Sequence, residues 1–346
     1  MKKPDTRLIN QSWPEEGLEY VEKCPYCNFG ERTLAYKDVQ DWTFYCAPGK
    51  WTYWDCSQCG ALYLDPRPTK VTVGMAYGTY YTHSAGNKKS IRELLKERII
   101  NECRSHWLSA NINPRLHVPK YLGWLLTPFK SRVVEYFGQK ELVSLPKGRL
   151  MDVGCGDGDM LSLATKLGWQ AMGLEFDPAA VKAARAQGLD VLEGTYERLS
   201  EYMQAFDCIV CSHVLEHVHN PLDMLIKLKE ALKPGGILLL SSPNATSALR
   251  YYFGENWRGL EAPRHLSIPS MSHLKAKLIE MGFNVTQRQL NSYLTAVESS
   301  RIKRRAAKSN LYDKKIKKLL MSDKGILSDQ QDDFLQLICF KVESEK

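Results

Sequence analysis

The stretch Leu150-Met151-Asp152-Val153-Gly154-Cys155-Gly156-Asp157-Gly158 restricts the possible folds of this chain more than any other. A short apolar run meets three glycines in five positions. Met160, Leu161, Leu163 and Ala164 then follow at helical spacing. That order reads as strand, tight turn, helix. Glycines in such a turn take positive φ and let the backbone approach a ligand closely. Downstream the alternation continues. Strands are expected near 149–153, 170–175, 189–192, 206–211 and 236–241, with helices near 159–167, 178–187 and 221–232. A helix over 272–281 with Ser272 as its N-cap, a strand over 283–290 and a closing strand over 334–342 complete the pattern. Strands alternating with helices build a mostly parallel sheet covered on both faces, a doubly wound α/β architecture.

The ligand of the glycine turn can be argued from its neighbours. A dinucleotide fingerprint wants Gly or Ala three residues after its second glycine, and this chain has Asp159. Asp152 stands two residues before the first glycine. A pyrophosphate would be repelled there and a cation attracted, which disfavours a nicotinamide-dependent oxidoreductase. S-adenosylmethionine (SAM), with its sulfonium and ammonium, fits. Gly154, Cys155 and Gly156 form the turn. Glu175 ends the second strand about 20 residues on, where an acid reaches ribose hydroxyls in this architecture. Phe176 offers an apolar face for adenine, and Tyr196 lies in the turn after the third strand. Ser212 and His213 end the fourth. Asp177 followed by Pro178 reads as a helix N-cap with Pro at the first helical position.

Cys24-Pro-Tyr-Cys27 and Cys56-Ser-Gln-Cys59 are two CxxC knuckles 28 residues apart. Paired knuckles supply four thiolates to tetrahedral zinc, and a closed four-cysteine site is structural. Cys46 is a reserve ligand. Cys208-Ile-Val-Cys211 has the same spacing but falls in an expected strand, where residues three apart face opposite sides. His213-Val-Leu-Glu216-His217 matches an H-x-x-E-H metalloprotease motif, but it follows a strand directly and Asn220-Pro221 interrupts it.

The motifs LMDVGCGDG, GLEFD, FDCIVCSHVLEHVHNP and LKPGGILLLSSPN together resemble the class I SAM-dependent methyltransferases. CPYC…CSQCGALYLDPRPT and WRGLEAPRHLSIPS resemble members that begin with a zinc ribbon and act on sugars or in glycan synthesis. The resemblance implies a Rossmann-like, seven-stranded, mostly parallel sheet with a small N-terminal zinc-ribbon module. It also implies SAM as cofactor and a small-molecule or glycan-type acceptor. The corresponding domains are 1–68 with the ribbon, 69–140 as a helical linker or lid, and 141–346 for SAM, with a basic helical insertion at 291–332.

Methyl transfer is a displacement at an activated carbon, so alignment supplies most of the rate. A base serves only to deprotonate the acceptor. His265 and His217 compete for that role, with Glu261 beside His265 in Trp257-Arg-Gly-Leu-Glu-Ala-Pro-Arg-His265. Arg258 and Arg264 are expected to clamp a phosphate on the acceptor.

Between Arg301 and Leu320 lie nine Lys/Arg and one acid, which accounts for the whole net charge of +8. The basic character therefore belongs to one element, and that element suits peripheral contact with an anionic membrane. It argues against a chain-wide nucleic-acid footprint. An RNA methyltransferase and a non-catalytic SAM-binding scaffold are the rival readings. The first 17 residues have no apolar stretch behind their lysines, so no signal peptide is expected and a cytoplasmic location follows.

Overall fold

The computed structural model describes residues 6–78, 91–129, 138–288, 293–306 and 333–342. The chain forms two compact units. The first comprises Met1–Tyr81, Ser212–Ile226 and Leu240–Cys339, the second Thr82–Cys211, Lys227–Leu239 and Phe340–Lys346.

The first unit starts with five short strands: β1 (Leu18–Glu19), β2 (Arg32–Val39), β3 (Trp51–Cys56), β4 (Leu62–Leu64) and β5 (Arg67–Pro68). The second unit holds β6 (Arg149–Val153), β7 (Gln170–Glu175), β8 (Val191–Glu193) and most of β9 (Phe206–Ser212). The strand β10 (Leu232–Pro243) runs from the second unit into the first. Then come β11 (Ser267–Ile268), β12 (Phe283–Gln287) and β13 (Phe334–Lys341).

The large sheet has seven strands in the order β12-β13-β10-β9-β6-β7-β8. β6 pairs in parallel with β7 and β9, and β7 in parallel with β8. In β6 and β9 nearly every residue is buried, as expected of parallel strands covered on both faces. Cys208 and Cys211 both lie within β9, where residues three apart face opposite sides, so they do not share a metal. The helix Pro178–Ala186 starts as its sequence demands. Asp177 accepts a hydrogen bond from Ala179 N at 2.9 Å, and Pro178 holds the first position. The helix expected from Ser272 begins earlier, at Met271. Ser270 caps it, because the Ser270 carbonyl already accepts from Leu274 N at 3.0 Å.

In the first unit β1 and β5 pair as a two-stranded antiparallel sheet, but β2, β3 and β4 do not form their sheet by themselves. The small sheet has the order β11-β4-β3-β2, so a strand from residues 267–268 completes it. Its core joins Trp13, Trp51, Tyr53 and Leu64 to Leu249, Phe253, Trp257 and Leu260. The N-terminal strands and the loop after β10 thus share one apolar core, and this fixes the loop that carries His265. Among the described residues no helix is long and apolar enough to cross a membrane. Of the basic stretch 301–320, residues 307–320 lie outside the described residues. In the helix Tyr293–Ala306, Arg301 pairs with Glu298 and Arg305 donates to Trp42 O at 2.9 Å.

Candidate active site

In the second unit the turn after β6 is built on left-handed glycines: φ is +71° at Gly154, +55° at Gly156 and +92° at Gly158. A Cβ on Gly158 would lie 2.3 Å from Leu189 Cδ1. Glu175 braces the turn. Its Oε2 accepts from Gly156 N and its Oε1 from Asp177 N, both at 2.9 Å. The Cys155 thiol points into a core of Leu161, Val181, Ala184 and Val191, so only its backbone can serve a ligand. Tyr196 is buried, and Phe176 is half exposed. Asp152 is buried, and its Oδ2 has no hydrogen-bond partner among the described residues. Burial, with the nearby Glu175 charge adding to it, pushes its carboxyl up to about 7.

In the first unit the four knuckle cysteines converge. Sγ of Cys24 lies 3.5 Å from that of Cys59, and Sγ of Cys27 lies 3.4 Å from that of Cys56. All four sulfurs fall within 4.8 Å of one another. Tetrahedral Zn–S bonds of about 2.3 Å give S···S edges of about 3.8 Å, so the set fits zinc. Each knuckle closes through a left-handed residue after its second cysteine, Asn28 at φ 60° and Gly60 at φ 68°. Both residue types tolerate that region. Cys46 is no reserve ligand. Its thiol contacts Asp41 Oδ2 and Ala76 O, and burial pushes it up to about 12.

A second cluster in this unit gathers Glu216, His217 and His265, one ligand atom of each lying within 4.8 Å of the others. The two imidazoles meet edge to face with centroids 4.7 Å apart. His217 Nδ1 lies 3.0 Å from Arg264 O and 3.0 Å from Tyr77 Oη. His265 Nδ1 lies 2.6 Å from Gly259 O. The Tyr53 hydroxyl reaches the carbonyls of Leu260 and His265, at 2.6 and 2.9 Å. Burial holds His265 down to about 4, against the pull of Glu261. At neutral pH it is uncharged and weakly basic. His217, half-buried beside Tyr77, is the more accessible imidazole. Glu216 is fully buried. Burial alone would raise it, but the hydrogen bond from His213 and the neighbouring imidazoles outweigh that and hold it at about 2. His213 itself takes φ +57°.

The expected phosphate clamp is not available. Arg264 is fully buried and fastens Asp41 Oδ1 at 2.7 Å, Glu261 Oε1 at 3.1 Å and Ala76 O at 3.0 Å. Arg258 pairs with Glu261 Oε2. Glu261 thus holds two arginines, and its Oε2 lies 3.7 Å from His265 Nε2. Asp41 and Tyr77, which complete this arrangement, carried no local signal in the sequence. Each is a lone polar residue in an aromatic stretch, and only the tertiary fold brings it to the site.

Residues 126–288 match a family model described as a methyltransferase domain. This stretch is similar to a methyltransferase domain. The matched stretch covers β6 through β12 and so contains the glycine turn, Glu175 and the imidazole cluster. A ubiquinone biosynthesis O-methyltransferase of Xanthomonas campestris is 35% identical over 113 residues, 31% of this chain and 47% of that relative. Its mitochondrial counterpart from Schizosaccharomyces pombe is 28% identical over 181 residues, 47% of this chain and 66% of that relative. The chain therefore spans about half the length of the first of these relatives. A SAM-dependent methyltransferase structure from Archaeoglobus fulgidus aligns over 62% of this chain and 92% of its own, at 18% identity and a TM-score of 0.40.

Proposed function

We propose that the chain transfers a methyl group from SAM to a small-molecule acceptor. Asp152 carries this reading. A buried carboxyl beside the glycine turn, with one oxygen unpartnered, costs folding free energy that a bound cation offsets. SAM brings two cationic groups. Glu175 takes the ribose, Phe176 lies against adenine, and the backbone at Gly154–Gly156 approaches the cofactor. Ser212 and His213, where the chain leaves β9, complete the cofactor set. When bound, SAM supplies the electrophilic methyl carbon. The cluster of Glu216, His217 and His265 is the candidate for handling the acceptor's proton, and Glu261 keeps His265 in place. The four-cysteine site holds a structural zinc.

Similarity to ubiquinone biosynthesis O-methyltransferases supports oxygen as the methylated atom, with an acceptor from ubiquinone biosynthesis. The zinc-ribbon resemblance supports a sugar- or glycan-type acceptor. The discriminating experiment joins calorimetry with SAM and NADH to an acceptor panel containing both classes, read by a methyl-group mass shift. SAM binding with methylation of one class is expected. NADH binding in place of SAM would overturn the reading. SAM binding with no methylated acceptor of either class would favour the non-catalytic scaffold.

A further inference from the structure

We propose that Glu216, His217 and His265 bind a divalent transition-metal ion, distinct from the ion of the four-cysteine site. The argument begins with the imidazole tautomers. A carbonyl oxygen can only accept, so the short contacts to Arg264 O and Gly259 O place the proton on Nδ1 of both rings. Each Nε2 is left with a lone pair. Glu216 adds a third acceptor. It is fully buried, its Oε1 takes the hydrogen bond of His213 at 3.1 Å, and its Oε2 has no hydrogen-bond partner among the described residues. One ligand atom of each residue lies within 4.8 Å of the others. With both Nδ1 protons turned to carbonyls, the three clustered residues offer one another acceptors and no donor. The nearby arginines do not supply one, because Arg264 is committed to Asp41 and Glu261, and Arg258 to Glu261. A cation satisfies all three at once.

The ligand set is two imidazoles and one carboxylate, which suits zinc, iron or manganese rather than calcium or magnesium. Three protein ligands leave a coordination position open. The surroundings are those of a metal-ligating histidine, whose second nitrogen is held by a carbonyl. Both carbonyls are themselves fixed. That of Arg264 belongs to a residue whose side chain is locked by two carboxylates. That of Gly259 sits where a Cβ would lie 2.2 Å from the Trp257 ring. The motif His213-Val-Leu-Glu216-His217 does not bind metal in its helical protease form. The fold gives His213 the task of holding Glu216 and brings in His265 from the loop after β10. How the ion acts in turnover rests on the methyltransferase reading: an acceptor hydroxyl in the open position would lose its proton to water before its oxygen attacks the methyl carbon. The binding itself does not rest on that reading.

The test uses the full chain isolated with its zinc, titrated with cobalt(II) alone. Weak visible d–d bands without thiolate charge transfer are expected, saturating at one cobalt per chain. Elemental analysis should then find two metal ions per chain. Glu216→Gln, which keeps the side-chain volume, should weaken cobalt binding tenfold or more. The doubly substituted His217→Ala/His265→Ala chain should retain one zinc and lose the cobalt bands, whereas Cys56→Ser should lose the other ion. Saturation at a single metal with thiolate bands only, or undiminished cobalt binding in Glu216→Gln, would overturn the proposal. SAM binding and methyl transfer at full rate with one ion per chain would sink this inference and leave the methyltransferase reading standing. Two ions per chain with no SAM binding would do the reverse.

Discussion

Asp152, at the end of β6 in the second unit, and Glu261, in the loop after β10 in the first, are 4% and 7% exposed. Burial pushes both carboxyls up, and the outcome depends on what surrounds them. Around Glu261 stand Arg258, Arg264 and the imidazoles, which overcome burial and hold it well below the usual carboxylate range. Asp41 is likewise held low by Arg264 despite its burial. Among the described residues Asp152 has no cationic partner, and the Glu175 charge adds to the upward push. In the first unit the buried charges of Asp41 and Glu261 are neutralised internally, with Arg258 and Arg264 as partners. The second leaves one unneutralised beside its glycine turn. A neutralised network serves to position groups, whereas an unneutralised acid is a vacancy in charge that a ligand fills.

The largest effect should come from breaking the neutralised side. Arg264→Leu leaves Asp41 and Glu261 buried without their shared partner. Removing one member of a buried ion pair costs about 3–5 kcal/mol. Urea denaturation should show a loss of that size, shrinking as pH falls and the two carboxyls protonate. A loss below about 1 kcal/mol would mean that the network is not neutralised in the way the distances indicate. The opposite sign is expected on the other side. A carboxyl raised from its ordinary value to about 7 costs stability progressively as pH rises from about 4 to about 7 and no further above it. Asp152→Asn removes that cost. The ligand-free chain should gain up to about 4 kcal/mol at pH 8, with a smaller gain at pH 5, while SAM binding collapses. Equal gains at both pH values would show that Asp152 does not titrate where its burial puts it.

Much of the second unit was legible because its signals are local. The glycine turn, the apolar parallel strands and the Asp177-Pro178 cap each need only a few consecutive residues. The two cysteine knuckles were legible for the same reason. The imidazole cluster was only partly so. His217 and His265 stood out individually, but their junction with Glu216 depends on 47 intervening residues folding back, as the hydrogen bond from His217 to Arg264 O shows. Arg264 looked like a phosphate clamp because an arginine in an aromatic loop reads the same whether it faces solvent or a buried acid. Its true partner, Asp41, lies 223 residues away. No periodicity or spacing encodes a pairing of that range.

The smallest effect separates two acids that share one backbone. Glu175 and Asp177 both accept hydrogen bonds at the end of β7, Glu175 from Gly156 N and Asp177 N, Asp177 from Ala179 N. If Glu175 only braces the turn, its removal acts on SAM through the geometry of the glycines. If it also holds the ribose, part of the loss must depend on the ribose hydroxyls. Glu175→Ala should weaken SAM by about 1–3 kcal/mol. Asp177→Ala should cost about 1 kcal/mol of stability as a lost N-cap and leave SAM affinity within about twofold. An analogue lacking the ribose hydroxyls divides the Glu175 effect further. The wild-type chain should bind it more weakly than SAM, and Glu175→Ala should bind the two alike, because the group that distinguishes them is gone. If the analogue and SAM differ as much in Glu175→Ala as in the wild type, the ribose is held elsewhere and Glu175 serves the turn alone.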